Sequence, residues 1–320
     1  MLSRIIKLLK KLLQTYRDDK HFSVTLANAR LQESIANLFH LKKAAQQAKK
    51  RKDKYIVDTL SKIVLGDLQE YQGSYAEIQN HNVPIFVCWW SGIENAPDLV
   101  KICVRSIQAA ASNHPVILID SNNFHEYLDI PDYIIDHVNS KRMCLANFSD
   151  YLRFSLLNRY GGMWIDSTVF CSSEIPEVYF EMPLFTCNSS SGTDYFSNGK
   201  WTGFVFAGTK GHPLFGYIQS AFETYWKKED RSIDYLLLDY LIYFAYTNLE
   251  IVKRDIDAVP INNLHRNDLR AAMNRREPAE KLNEYLYVDT CFNKLSWREK
   301  FSTTDGNGKE TVYAAFMKQK

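Results

Sequence analysis

From residue 84 onward, apolar residues fall in short unbroken blocks separated by amphipathic stretches. "PIFVCWW" (84–90), rich in β-branched and aromatic residues, predicts a buried strand. "PVILID" (115–120) predicts a second strand and "MWIDSTVF" (163–170) a third. Between them, "APDLVKICVRSIQAA" (96–110) has helical spacing with Pro97 in its first turn. A short helix is expected near 122–128. "LANFSDYLRFSLLNRY" (145–160) predicts a helix stopped by Gly161 and Gly162. Strands alternating with helices predict a parallel, doubly wound sheet, whose ligands bind beyond the carboxyl ends of the strands. Trp89, Trp90, Asp120 and Asp166 all fall at such ends.

Further on come a strand-like "PLFTC" (183–187), a polar loop at 188–200 that would suit an acceptor-side lid, and a helix over about 213–227. "SIDYLLLDYLIYFAY" (232–246) and "DLRAAMNRREPAEKLNEYL" (268–286) read as helices, and "STTDGNGKE" (302–310) as a flexible stretch. His212, in "GHP", is expected to shape a turn.

The first 80 residues have a different texture. Leu2, Ile5, Ile6, Leu9, Leu12 and Leu13 recur at helical spacing, with Arg4, Lys7 and Lys11 on the other side. A second basic helix ends in "KKAAQQAKKRKDK" (42–54). Residues 1–54 hold 14 basic and 4 acidic residues, whereas the rest of the chain is net acidic, although the total is only +2. The first helix either lies on an anionic membrane surface or packs on its own domain and shows its lysines to water. Nucleic acid is not expected as a partner: the basic patch lacks interleaved aromatics and the body is acidic. The chain divides into a basic helical segment (1–80) and a larger α/β domain (81–320).

Composition refines this picture in three places. The hydrophobic and charged contents, 46% and 24%, are those of an ordinary globular protein. Nineteen Tyr and six Trp supply rings suited to stacking on sugars or bases, although core and rim positions account for most of them. The six cysteines show neither a CxxC pair nor zinc spacing, so free thiols in a reducing, cytoplasmic setting are expected. No apolar run reaches the ~18–20 residues of a membrane span. The N-terminus lacks the apolar core and cleavage site of a signal peptide.

The candidate chemistry is acidic and cationic. Asp150 and Arg153 stand at i and i+3 on a mostly apolar helix, sharing a stripe with Leu157. They either form a structural ion pair or reach a polar ligand beside Asp166. Asp234 and Asp239, at i and i+5, do not share a face; one would contact a sugar or acceptor and the other would be a solvated edge. There is no nucleophile–base pair and no P-loop.

"VPIFVCWWSGIENAPDLV", "FSDYLRFSLLNRYGGMWIDSTVF", "WTGFVFAGTKGHPLF", "SIDYLLLDYLI" and "NKLSW" occur in that order. Together they resemble the bacterial capsular polysaccharide synthesis family of glycosyltransferases, relatives of the Och1-type mannosyltransferases and the large clostridial glucosylating toxins. The resemblance covers about residues 80–300. It implies a GT-A fold, a Rossmann-like, doubly wound mixed sheet, and here one carrying an N-terminal basic helical extension. It also implies a nucleotide sugar, most simply a UDP-sugar, as donor, and retention of anomeric configuration. By this resemblance Trp89 or Trp90 stacks the donor base and Asp120 lies on the donor side. Asp150 and Arg153 bind the donor sugar. Asp166 is the first acid of a metal-binding D-x-D motif for Mn²⁺ or Mg²⁺. The motif's third position is Thr168, so one carboxylate is lost. Lys294 and Ser296 match a C-terminal loop that closes on the diphosphate.

The expected function is transfer of a sugar to a lipid-linked capsular or exopolysaccharide glycan, peripheral to the inner face of the cell membrane. The alternatives are a protein acceptor, or a non-catalytic nucleotide-sugar or glycan-binding assembly partner, which the loss of the second acid would favour.

Overall fold

The computed structural model describes residues 2–72, 75, 82–189 and 196–319, leaving aside the side chains of residues 2–8 and 11. The side chains of Leu2, Ile5 and Ile6, half of the apolar stripe expected on the first helix, and residues 190–195 of the expected lid therefore lie outside what is described. Three helices open the chain: α1 (Leu2–Phe22), α2 (Val24–Leu38) and α3 (Lys42–Val64). Ser23 caps α2 by accepting the Leu26 N–H. Leu26, Ile56, Leu60 and Val64 are fully buried in the same hydrophobic cluster as the central sheet. Beyond its first turns, this basic segment is thus part of the core. Its charges reach inward too: Tyr240 donates to Asp53 and Arg30 pairs with Asp234.

The α/β portion runs β1 (Ile85–Cys88), α4 (Asp98–Ala110), β2 (Val116–Ile119), α5 (Phe124–Tyr127), α6 (Asp132–Asn139), α7 (Leu145–Tyr160), β3 (Gly162–Ile165) and β4 (Val169–Cys171). It continues with α8 (Val178–Glu181), β5 (Leu184–Thr186), β6 (Val205–Gly208), α9 (Pro213–Lys228), α10 (Leu237–Asn248), α11 (Glu250–Ala258), α12 (Asp268–Arg275), β7 (Phe292–Lys294) and α13 (Val312–Met317). Five strands form a sheet of order β2-β1-β3-β6-β5. β1 is parallel to both β2 and β3, while β6 is antiparallel to β3 and β5. The chain leaves β1 through α4 to one neighbour and returns through α7 to the other. The switch point is therefore at the carboxyl ends of β1 and β3, where a doubly wound sheet opens a crevice.

Two glycines set this geometry. Gly161 ends α7 at φ 70° and Gly162 follows at φ 88°. A Cβ on Gly162 would fall 2.2 Å from the Pro84 carbonyl oxygen, so only glycine lets β3 start against β1.

Several elements differ from what the sequence pattern predicts. "MWIDSTVF" is not one strand. It breaks into β3 and β4 at a turn in which the Val169 N–H bonds the Asp166 carbonyl. β4 leaves the main sheet to pair antiparallel with β7, and Phe170 is buried in a second hydrophobic cluster with Leu99, Leu269 and Phe316. The helix expected over 268–286 ends at Arg275, because Arg276 takes the left-handed conformation and Pro278 follows. A 3-10 segment, Ala279–Tyr285, replaces its second half. The helix expected from 232 starts only at Leu237. α6, opened by Pro131, was not foreseen. His212 caps α9, its Nδ1 accepting the Leu214 N–H at 3.2 Å. Among the described residues all six cysteines are free, and all but Cys88 and Cys144 are buried.

Candidate functional site

The turn between β3 and β4 puts Asp166 at the corner of the crevice. Its backbone N–H bonds the Phe204 carbonyl at 2.9 Å, which anchors the corner to the start of β6. Its carboxylate gathers the site. Oδ1 accepts from Arg153 Nη2 at 3.0 Å and from Trp164 Nε1 at 2.9 Å. Oδ2 accepts from Lys294 Nζ at 2.7 Å. Burial alone would raise the Asp166 pKa, but Lys294, Arg153 and these N–H donors together hold it below the usual carboxylate value.

Arg153 reaches this corner from the middle of α7. It is only 3% exposed and lies over the Trp164 ring. Its Nη1 donates to Asp150 Oδ1 at 2.6 Å, so one guanidinium links the two carboxylates. Asp150 and Arg153 thus form an ion pair, the first of the two readings, and the same guanidinium also reaches Asp166. Burial pushes the Asp150 carboxyl up to about 6 despite Arg153. One turn earlier on α7, Asn147 is fully buried with both amide atoms unpartnered among the described residues. Its polarity in an apolar stretch was the available signal, and the sequence reading passed over it.

Lys294 comes from β7, where it lies opposite Val169 of β4. Its Nζ also donates to Thr168 Oγ1 at 2.8 Å, so the ammonium bridges the first and third positions of the "DST" turn. The next residue, Leu295, donates its N–H to the Thr168 carbonyl. Ser296 follows, half-buried.

The two tryptophans after β1 part company. Trp90, half-buried, packs against Phe148 and Phe124 at the edge of the core. Trp89 lines a pocket with Asp120, Val87, Ile93, Leu118 and Ile119. Its ring meets Trp297 edge-on at 5.6 Å, and its indole N–H is buried without a partner among the described residues. Asp120 Oδ1 accepts the Asn122 and Asn123 N–H groups, which holds its side chain at the pocket. Cys88, which ends β1, lies within electrostatic reach of Asp120, Asp166 and Arg153, so pocket and charge cluster adjoin. Burial pushes its thiol up to about 12, which leaves it inert.

The helix acids also part company. Asp239, on the first turn of α10, accepts from Trp201 Nε1 at 3.1 Å. Burial raises its carboxyl to about 6, and Arg153 lies within electrostatic reach. Asp234 belongs to the scaffold. Its Oδ2 pairs with Arg30 of α2 at 2.8 Å and its Oδ1 accepts the Leu236 N–H. Tyr235, 66% exposed, lies within electrostatic reach of Asp150, Arg298 and Asp166; nothing in its local sequence pattern marks it.

Between Asp166 and Thr168, where the sequence placed a divalent metal, the structure has the Lys294 ammonium. Mg²⁺ and Mn²⁺ need several oxygen ligands in a near-octahedral shell. Here Asp166 Oδ1 already accepts two N–H donors and Oδ2 holds the ammonium. Among the described residues no three His, Cys, Asp or Glu side chains group to hold a metal. With Lys294 in place, this donor set does not fit a divalent ion.

No helix among the described residues is long and apolar enough to cross a membrane. Neither a curated protein nor a solved structure matches the chain. Residues 36–316, from within α2 to the last turn of α13, match a family described as capsular polysaccharide synthesis protein. The match spans the sheet, the Asp166 corner and β7 alike, and the chain belongs to the capsular polysaccharide synthesis protein family.

Proposed function

We propose that this protein is a glycosyltransferase of the GT-A type. It takes a sugar from a nucleotide sugar, most simply a UDP-sugar, and adds it to a lipid-linked capsular or exopolysaccharide glycan. The observation that carries this reading is the juxtaposition at the switch point. A pocket walled by Trp89 and Asp120 adjoins a cation-rich corner, Arg153, Lys294 and Asp166. A nucleoside diphosphate needs these two environments side by side.

The residue types suit the chemistry. A sugar leaving a diphosphate develops positive charge at its ring and negative charge on the leaving oxygen. Arg153 and Lys294 meet the negative charge. Asp150 and Asp239, partly desolvated carboxylates nearby, accept hydrogen bonds from sugar hydroxyls. Retention is carried over from the family resemblance.

The basic α1 supports the lipid-linked acceptor and a place on the inner membrane face. Leu9 and Leu13, one helical turn apart, are both exposed, and Lys10 stands beside them. Apolar and basic groups on one surface helix bind anionic bilayers.

The test is thermal unfolding with UDP-, GDP- and CMP-sugars. A ligand at 100 times its dissociation constant adds about 2.7 kcal/mol. One nucleotide sugar should stabilise the wild type and fail to stabilise Asp166→Asn; no shift with any of them would remove the reading. The second reading, a non-catalytic binding partner, is favoured by Thr168 at the position of the second acid. It predicts the same stabilisation without release of nucleoside diphosphate when membrane acceptors are added.

A further inference from the structure

Lys294 Nζ sits 2.7 Å from Asp166 Oδ2 and 2.8 Å from Thr168 Oγ1. Its backbone is pinned on both sides. The Lys294 N–H bonds the Arg266 carbonyl at 2.7 Å, and the Leu295 N–H bonds the Thr168 carbonyl at 2.9 Å. The ammonium also stands 5.3 Å from the centre of the Phe204 ring, a favourable cation–π position. An ammonium has three N–H donors, and two are committed. The side chain is 22% exposed, so the third can meet a ligand entering the crevice.

The charges agree with the geometry. With Thr168 in place of an acid, this corner has one carboxylate rather than two. A monovalent cation matches that charge better than a divalent one. A divalent ion reaching Asp166 Oδ2 would have to expel the ammonium or sit against it. Lysine ammonium is also a good partner for phosphate oxygens.

We propose that the Lys294 ammonium, held between Asp166 and Thr168, does the work of a divalent cation, so that this protein binds and uses a nucleoside-diphosphate sugar without metal. The inference rests on the nucleotide-sugar reading above. In the transfer step, the bond from the sugar's anomeric carbon to the diphosphate oxygen breaks, and its electron pair stays on that oxygen. An acceptor hydroxyl oxygen bonds the anomeric carbon, and the hydroxyl proton passes to the departing diphosphate. Lys294 keeps its protons throughout and neutralises the developing charge, with Arg153 on the other side of Asp166.

The test is calorimetric titration of the full chain with UDP and with GDP, in EDTA and in Mn²⁺. The better ligand should bind wild type with affinities that agree within about threefold in the two conditions. Lys294→Gln should lose at least about tenfold in EDTA, the worth of a charged hydrogen bond, while Lys294→Arg keeps most of the affinity. The double variant Lys294→Gln/Thr168→Asp should recover binding in Mn²⁺ only. Wild-type binding that vanishes in EDTA, or an unchanged affinity in Lys294→Gln, overturns the inference and leaves the nucleotide-sugar reading intact. Absence of binding by either nucleotide in any condition removes that reading, and this inference with it. Should Lys294→Gln not fold, the wild-type comparison decides alone.

Discussion

Arg153 and Asp166, thirteen residues apart in sequence, meet at 3.0 Å across the junction of α7 and β3, with the guanidinium buried and its other arm on Asp150. This contact couples the helix to the corner of the crevice. Removing Arg153 leaves two carboxylates without their shared cation. Breaking a buried pair costs about 3–5 kcal/mol. Both acids retain some solvent exposure, so Arg153→Ala should sit near the lower end of that range in denaturant unfolding. Arg153→Lys, which lacks the planar fork, cannot hold both acids and should also weaken donor binding.

The separation of the two tryptophans gives a paired prediction. Trp89→Ala should reduce nucleotide affinity by the worth of one base–aromatic stack, about 1–3 kcal/mol, with little loss of stability. Trp90→Ala should do the reverse, because its ring packs on Phe148 and Phe124. Titration with UDP beside a urea melt of each variant separates the two effects; equal losses of affinity would contradict the assignment.

Asp234 belongs to the scaffold, since Arg30 of α2 and the Leu236 N–H occupy its oxygens. Asp234→Asn should lower stability by about 1–3 kcal/mol, the range for a charged hydrogen bond left half-made, and leave donor affinity unchanged. Asp239→Asn should lower donor affinity. The same titration on both variants checks this, and equal affinity losses would return Asp234 to the site.

His212 is fully buried, with Nδ1 accepting from Leu214 and Nε2 at 3.1 Å from Asp255 Oδ2. Burial lowers its pKa more than Asp255 raises it. A histidine that resists protonation when folded takes up its proton on unfolding. Stability should therefore hold above the unfolded value of 6.5 and fall as the pH drops below it. His212→Asn should flatten that fall relative to wild type, seen as a smaller change in melting temperature between pH 7 and pH 5.

The membrane reading turns on Leu9 and Leu13. Burying one leucine is worth about 1.5–3 kcal/mol, so Leu9→Ser/Leu13→Ser should reduce binding to anionic vesicles at least about tenfold. Sedimentation with phosphatidylglycerol vesicles measures this. Unchanged binding would show that the surface lies elsewhere.

The sequence by itself determined the local parts. Continuous apolar blocks marked β1, β2 and β3, helical spacing marked α4 and α7, and Gly161–Gly162 marked the stop that aims the chain at Asp166. It also put Asp150 and Arg153 on one helix face, because i and i+3 neighbours are fixed by helix geometry alone. Such features depend on residues within a few positions of one another. The tertiary structure decided what depends on pairing across the chain. Antiparallel β5 and β6 widened the sheet. β4 left it to meet β7 and bury Phe170 in the second cluster. α2 claimed Asp234 through Arg30, which no local pattern around Asp234 could reveal. Above all, the β4–β7 register carried Lys294 across 128 positions to the oxygen of Asp166. In the sequence Asp166 is a lone acid that asks for a metal. In the fold it is already neutralised, because strand pairing brings a cation to it that local spacing does not encode.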